Sequence, residues 1–136
     1  MRLPSEQLAA HLAKKLSPVY AIHGDEALPY NFVAGNEMLA DFTEERKARQ
    51  AKFVQHYMES SPDFQNVHGY AASKYNEELL TLASKYIGHT FKCLSLTLEM
   101  PFKDNADLPD PHTGWNGARS AALGAAILQP ILQTLD

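Results

Sequence analysis

Cysteine is nearly missing from this chain: Cys93 is the only one in 136 residues. That excludes an internal disulfide and any cysteine-based zinc finger. Long apolar runs are missing too, since nothing approaches the ~20 residues of a membrane-spanning helix. The N-terminus begins with a positive charge, but Glu6, His11, Lys14 and Lys15 interrupt any secretory apolar core. The expected address is therefore cytoplasmic, with no membrane partner. Basic residues are in deficit, 12 against 16 acidic, for a net charge of -4. Residues 1–20 carry a net +2 and the remainder a net -6. Such an acidic body lacks the surface that neutralises phosphates, so nucleic acid is not an expected partner. Neither a glycine-rich phosphate loop nor a nucleophile elbow occurs.

What remains is an ordinary globular balance, 45% hydrophobic and 21% charged, at a length that suits one domain or most of one. Leu8, Leu12 and Leu16 recur at four-residue steps and predict a helix over 4–16, closed by Pro18. Val19 to Ile22 reads as a short buried strand, with His23-Gly24-Asp25-Glu26 at its carboxyl end. Residues 27–35, with Pro29 and Gly35, read as a loop. Residues 36–60 predict the longest helix, and Ser60-Ser61-Pro62-Asp63 stops it. Residues 64–75 read as irregular, and 76–87 as a helix that Gly88 terminates. Phe91 to Glu99 is the clearest strand: Leu94, Leu96 and Leu98 share one face, and Ser95, Thr97 and Glu99 the other. Cys93 falls inside it as a small buried hydrophobe. Residues 103–114 form a loop, and 116–135 a helix in which Pro130 costs a hydrogen bond or kinks the axis. The order α-β-α-α-β-α predicts α/β layers, a mixed sheet flanked by helices. Strands 19–23 and 91–99 are expected adjacent or nearly so in it.

His23 and Glu99 stand out because each ends a predicted strand on its carboxyl side, where open α/β sheets place ligands. An imidazole there can ligate zinc, and a carboxylate beside a metal-bound water can act as general base and then general acid. A hydrogen-bonded structural histidine and a solvated glutamate are the competing readings. Two segments match His-x-x-Glu, His23 to Glu26 and His56 to Glu59, and both read as surface pairs. His11, His68, His89 and His112 have no ligand-like spacing.

From Ile22 to Phe32 the string Ile-His-Gly-Asp-Glu-Ala-Leu-Pro-Tyr-Asn-Phe resembles the third-ligand segment of bacterial, cytosolic-type zinc carboxypeptidases of the M14 group. Ser61-Pro62-Asp63-Phe64-Gln65 and His68-Gly69-Tyr70 resemble its middle section. Thr97 to Asp104 resembles its catalytic strand. Gly114-Trp115 through Leu128, with Arg119, Ser120, Leu123 and Gly124, resembles its closing helix. The resemblance implies a partial carboxypeptidase-like fold over residues 22–136, zinc as cofactor, and peptide C-termini as substrates. It makes His23 a zinc ligand and Glu99 the general base, with Tyr70 a counterpart of the substrate-side tyrosine. It also implies two further ligands in an upstream His-x-x-Glu, which no residue pair before His23 supplies. The expectation is a chain without tight zinc or turnover by itself.

Residues 1–26, from Met1-Arg2-Leu3 through Leu16-Ser17-Pro18-Val19-Tyr20 to His23-Gly24-Asp25-Glu26, resemble instead the N-terminus of the delta subunit of the bacterial replicative clamp loader. A fusion at the shared His-Gly-Asp-Glu would divide the chain into 1–21 and 22–136. Removing the start of the parent sheet would bare a strand edge, and with it a tendency to homo-oligomers. A non-catalytic remnant domain and a clamp-loader-related binding protein are the alternatives to an enzyme.

Overall fold

The structure, a computed structural model, describes residues 19–71 and 77–135. The helix expected over 4–16 and most of the delta-like segment lie outside the described residues. Three strands form one sheet in the order β1-β3-β2. They are β1 (Val19–Asp25), β2 (Phe32–Ala34) and β3 (Ser95–Pro101). β1 runs parallel to β3 with His23 opposite Glu99, and β2 runs antiparallel with Phe32 opposite Glu99. The expected neighbours are thus adjacent, and the sheet is mixed α/β as the residue pattern indicated. β2 corrects the reading of 27–35 as loop throughout. It has three residues, too few for an alternation to show.

The leucine face of β3 makes the core. Leu94, Leu96 and Leu98 pack with Phe53, Tyr57, Phe64, Leu123 and Ile127. Phe53 and Tyr57 come from α1 (Glu44–Ser60), whose Thr43 cap accepts from the Arg46 amide at 3.3 Å. Glu44 and Glu45 in the first turn suit the positive end of the helix dipole. The helix therefore starts eight residues later than expected. Residues 36–42 are turns, with the Leu39 amide bonded to the Asn36 carbonyl and that of Phe42 to Leu39.

The other face of β3 is buried as well: Ser95, Thr97 and Glu99 are each 5% exposed or less. α2 (Ala83–Phe91) packs on that side, where Ser84 and Thr97 hydroxyls meet at 3.0 Å. A 3-10 turn, Glu77–Thr81, precedes α2. Gly88 does not terminate this helix but lies inside it, because a side chain there would run into the Asn36 amide. The helix ends instead at Lys92, in the left-handed region at φ 53°. Cys93 is buried as expected but precedes β3 rather than lying within it.

The helix predicted over 116–135 is two helices, α3 (Gly117–Ala126) and α4 (Leu128–Thr134). Pro130 cannot donate an amide to the preceding turn, and the break falls three residues before it. Asn116 caps α3, its Oδ1 accepting from Ala118 and Arg119 amides at 3.0 and 3.1 Å. Among the described residues no helix is long and apolar enough to cross a membrane.

Candidate functional site

β1 and β3 are in register, so the parallel ladder alone brings His23 and Glu99 together. His23 Nδ1 stands 3.7 Å from Glu99 Oε1. The two side chains differ sharply in environment: His23 is 60% exposed and Glu99 7%. Both line a cavity of about 800 Å³, together with Phe32, Thr97, Tyr70 and Lys85. The two residues singled out by their place at strand ends thus share one concavity. Glu99 is not the solvated carboxylate that its sequence context also allowed.

Burial pushes the Glu99 carboxyl above the usual carboxylate range, and the Asp25 charge adds to this. A hydrogen bond from Tyr70 and the neighbouring His23 pull the other way without cancelling it. A carboxyl raised in this manner holds a proton more readily than an ordinary carboxylate, as a group that takes and returns one must. The Tyr70 hydroxyl donates to Asp25 Oδ2 at 2.7 Å, and its ring meets Phe32 edge-on at 5.0 Å. Burial raises the Tyr70 hydroxyl, as do its bond to Asp25 and the charges of Glu99 and Asp25. Tyr70 therefore faces the cavity as a neutral phenol whose hydrogen is engaged by Asp25.

Asp25 is the residue that sequence reasoning gave no role. It is 7% exposed and accepts from the Ala27 and Leu28 amides at 2.7 and 2.6 Å, besides Tyr70. Burial opposes its ionisation, but these three bonds and the nearby Lys103 hold it below the usual range. Strand alternation from His23 put Asp25 on the same face, which was a legible signal. Its partner lies 45 residues away, which was not.

Of the remaining candidates among the described residues, only His68 also lines this cavity. Glu26 is exposed in the bend that follows β1 and is not among the residues lining the cavity. His56 and Glu59 pair at 3.0 Å on α1, outside the cavity, as a surface pair. His68 stacks on Tyr30 at 4.0 Å, and His89 bonds Asp41 at 3.2 Å. His11 lies outside the described residues. Lys85, missed as a site residue, reaches the cavity from α2 while only 8% exposed.

Catalytic zinc takes three protein ligands and a water. Among the described residues no group of three His, Cys, Asp or Glu side chains is placed to hold a metal ion. One imidazole beside one carboxylate does not fit that requirement. What the arrangement can do unaided is hold a buried, proton-accepting carboxylate and a neutral hydroxyl against whatever enters the cavity.

No family model matches the chain. An uncharacterized protein of Zymomonas mobilis is 36% identical over 118 residues, covering 87% of this chain and 31% of that protein. Among solved structures, a metallo-carboxypeptidase from Burkholderia cenocepacia is 60% identical with a TM-score of 0.87, covering 96% of this chain and 34% of its own. A Pseudomonas aeruginosa metallo-carboxypeptidase, solved with (2-guanidinoethylmercapto)succinic acid, is 36% identical with a TM-score of 0.83, covering 96% and 35%. This chain spans about a third of the length of the proteins it matches. No clamp-loader subunit stands among these relatives, and the delta-like reading of residues 1–26 finds no support in them. The described residues thus have the mixed α/β fold of about one third of a metallo-carboxypeptidase.

Proposed function

We propose that this chain forms the base-bearing side of a site that hydrolyses C-terminal peptide bonds in the manner of zinc carboxypeptidases of the M14 group. The observation that supports it best is the pairing of His23 and Glu99 at 3.7 Å on one cavity. In this reading Glu99 takes a proton from the attacking water and returns it to the departing amine. The Tyr70 hydroxyl, its hydrogen held by Asp25, offers its oxygen to the substrate as an acceptor. His23 is the one metal ligand the described residues supply, and the donors that would complete a zinc site are not among them. The chain on its own is therefore expected to hold no stoichiometric zinc and to release no C-terminal residue.

A chimera tests this. Residues 22–136 would replace the matching third of the Burkholderia cenocepacia protein, and release of C-terminal residues from peptides which that parent hydrolyses would be followed. Turnover that survives the exchange and falls by at least ~100-fold in Glu99→Gln is the expected result. A folded chimera without turnover, or one indifferent to Glu99→Gln, would overturn the reading. Mass spectrometry of the isolated chain for zinc checks the metal half.

We also propose self-association as a second property. Among the described residues β1 pairs only with β3, and Ile22 on it is 61% exposed. An unpaired edge with an apolar side chain is a template for a second strand. Light scattering on the eluted protein should show concentration-dependent dimers. A monomer across the micromolar range is the opposing outcome.

A further inference from the structure

The reading of the Glu99 cavity as a reaction site leaves one buried carboxylate without a task. Resting on that reading, we infer that Asp25 is a positioning residue, which fixes the Tyr70 hydroxyl at the edge of the cavity beside Glu99. Gln65 holds the chain before Tyr70. Gln65 ties the preceding turn, donating to the His68 carbonyl at 2.9 Å and the Asn31 carbonyl at 3.1 Å. Its Oε1 accepts from the Val67 and His68 amides at 2.8 and 2.6 Å. These bonds place the backbone up to His68 and say nothing about the Tyr70 side chain. Tyr70 is 56% exposed, and among the described residues its aromatic partner is Phe32, met edge-on. A half-exposed ring can change its χ1 rotamer unless its far end is anchored. Asp25 supplies that anchor.

Asp25 suits the task because the carboxylate is itself immobile. Oδ1 is taken by the two amides of the turn after β1, so Oδ2 can point in only one direction, toward Tyr70. A hydroxyl donating to an ionised oxygen is among the stronger hydrogen bonds. The strand carrying His23 thereby also sets the reach of a residue 45 positions away, and the three groups facing the substrate are referenced to one element.

The test labels the ring carbon bearing the tyrosine hydroxyl with 13C and assigns Tyr70 by its loss in Tyr70→Phe. In Asp25→Asn the amide oxygen can still cap Ala27 and Leu28, while the charge that receives the hydroxyl is gone. The Tyr70 signal should move upfield toward that of exposed Tyr86, with the Ala27 and Leu28 amide signals in place. A Tyr70 signal unmoved by Asp25→Asn overturns the inference. Should Asp25→Asn melt the turn, Tyr70→Phe reads the same bond from its other end, through the Asp25 carboxyl carbon. A change there supports the inference, and none overturns it. In the chimera, kcat should fall by factors that agree within about twofold for Asp25→Asn, Tyr70→Phe and the double variant, since one residue acts through the other. A double variant that loses the product of the two single factors counts against it. A chimera with no turnover removes the proposed function, whereas the 13C signal still decides the placement of Tyr70.

Discussion

Arg119 should be the most sensitive polar side chain outside the cavity. It reaches from α3 across two loops. Its guanidinium pairs with Asp63 through Nη2, and Nε approaches the other Asp63 oxygen at 3.4 Å. Nη1 meets Asp104 at 3.1 Å, and Nη2 also donates to the Leu108 carbonyl at 2.8 Å. The Trp115 ring lies 5.0 Å away. Arg119→Ala breaks all of these together. The Asp63 side chain is 12% exposed, so its charge would lose a partner without gaining much water, although Asn105 Nδ2 stays at 3.1 Å. Removing one partner from a fully buried pair costs about 3–5 kcal/mol, and an exposed pair about 0–1. Asp104 is 29% exposed and can rehydrate, so it adds little. The cation–π contact adds about 0.5–1 kcal/mol. The sum points to about 2–3 kcal/mol. For a chain of this size that is roughly 6–12 °C in Tm. Urea unfolding of wild type, Arg119→Ala, Asp63→Asn and the double variant would give the coupling directly, expected at about 1–2 kcal/mol. A loss under about 0.5 kcal/mol for Arg119→Ala, the range of a surface pair, would refute the reasoning.

Two further perturbations concern charge. At Asp41 burial opposes ionisation, but hydrogen bonds from Lys92 and His89, with their charges, hold the carboxyl below its ordinary value. Its contribution is then fully present above the ordinary carboxylate range and is lost as pH falls through the folded value. Asp41→Asn should cost roughly 1 kcal/mol at neutral pH after solvent screening, with the deficit vanishing in acid. Equal deficits at both ends of a pH series of melting curves would contradict this. Burial lowers the Lys85 ammonium, and the Glu37 charge only partly offsets it. In the window between the folded and the ordinary value, the unfolded chain binds the extra proton, so stability rises with pH there. Lys85→Met should therefore raise Tm at pH 7, and raise it less above the ordinary lysine range. A lower Tm at pH 7 would show that the ammonium is stabilising where it stands.

Local pattern fixed more of this protein than its modest length suggests. The period of two in Leu94, Leu96 and Leu98 announced β3, because strand alternation needs no partner to be visible. Pro130 announced a fault in the last helix, because a missing amide acts within one turn. Strand-end position marked His23 and Glu99, and a parallel register brings them together. Other features were set by distant residues. β2 exists only because β3 offers it an edge. Gly88 continues a helix because Asn36, 52 positions earlier, fills the space of a side chain. Thr97 and Glu99 look solvent-facing in sequence, yet α2 and the cavity wall enclose them. Tyr70 and Lys85 meet Glu99 at one cavity from three separate segments, and Asp25 reaches Tyr70 from a fourth. Backbone periodicity is a property of neighbours in the chain and can be read there. Burial and side-chain pairing are properties of neighbours in space, and only the closed tertiary structure decides which residues those are.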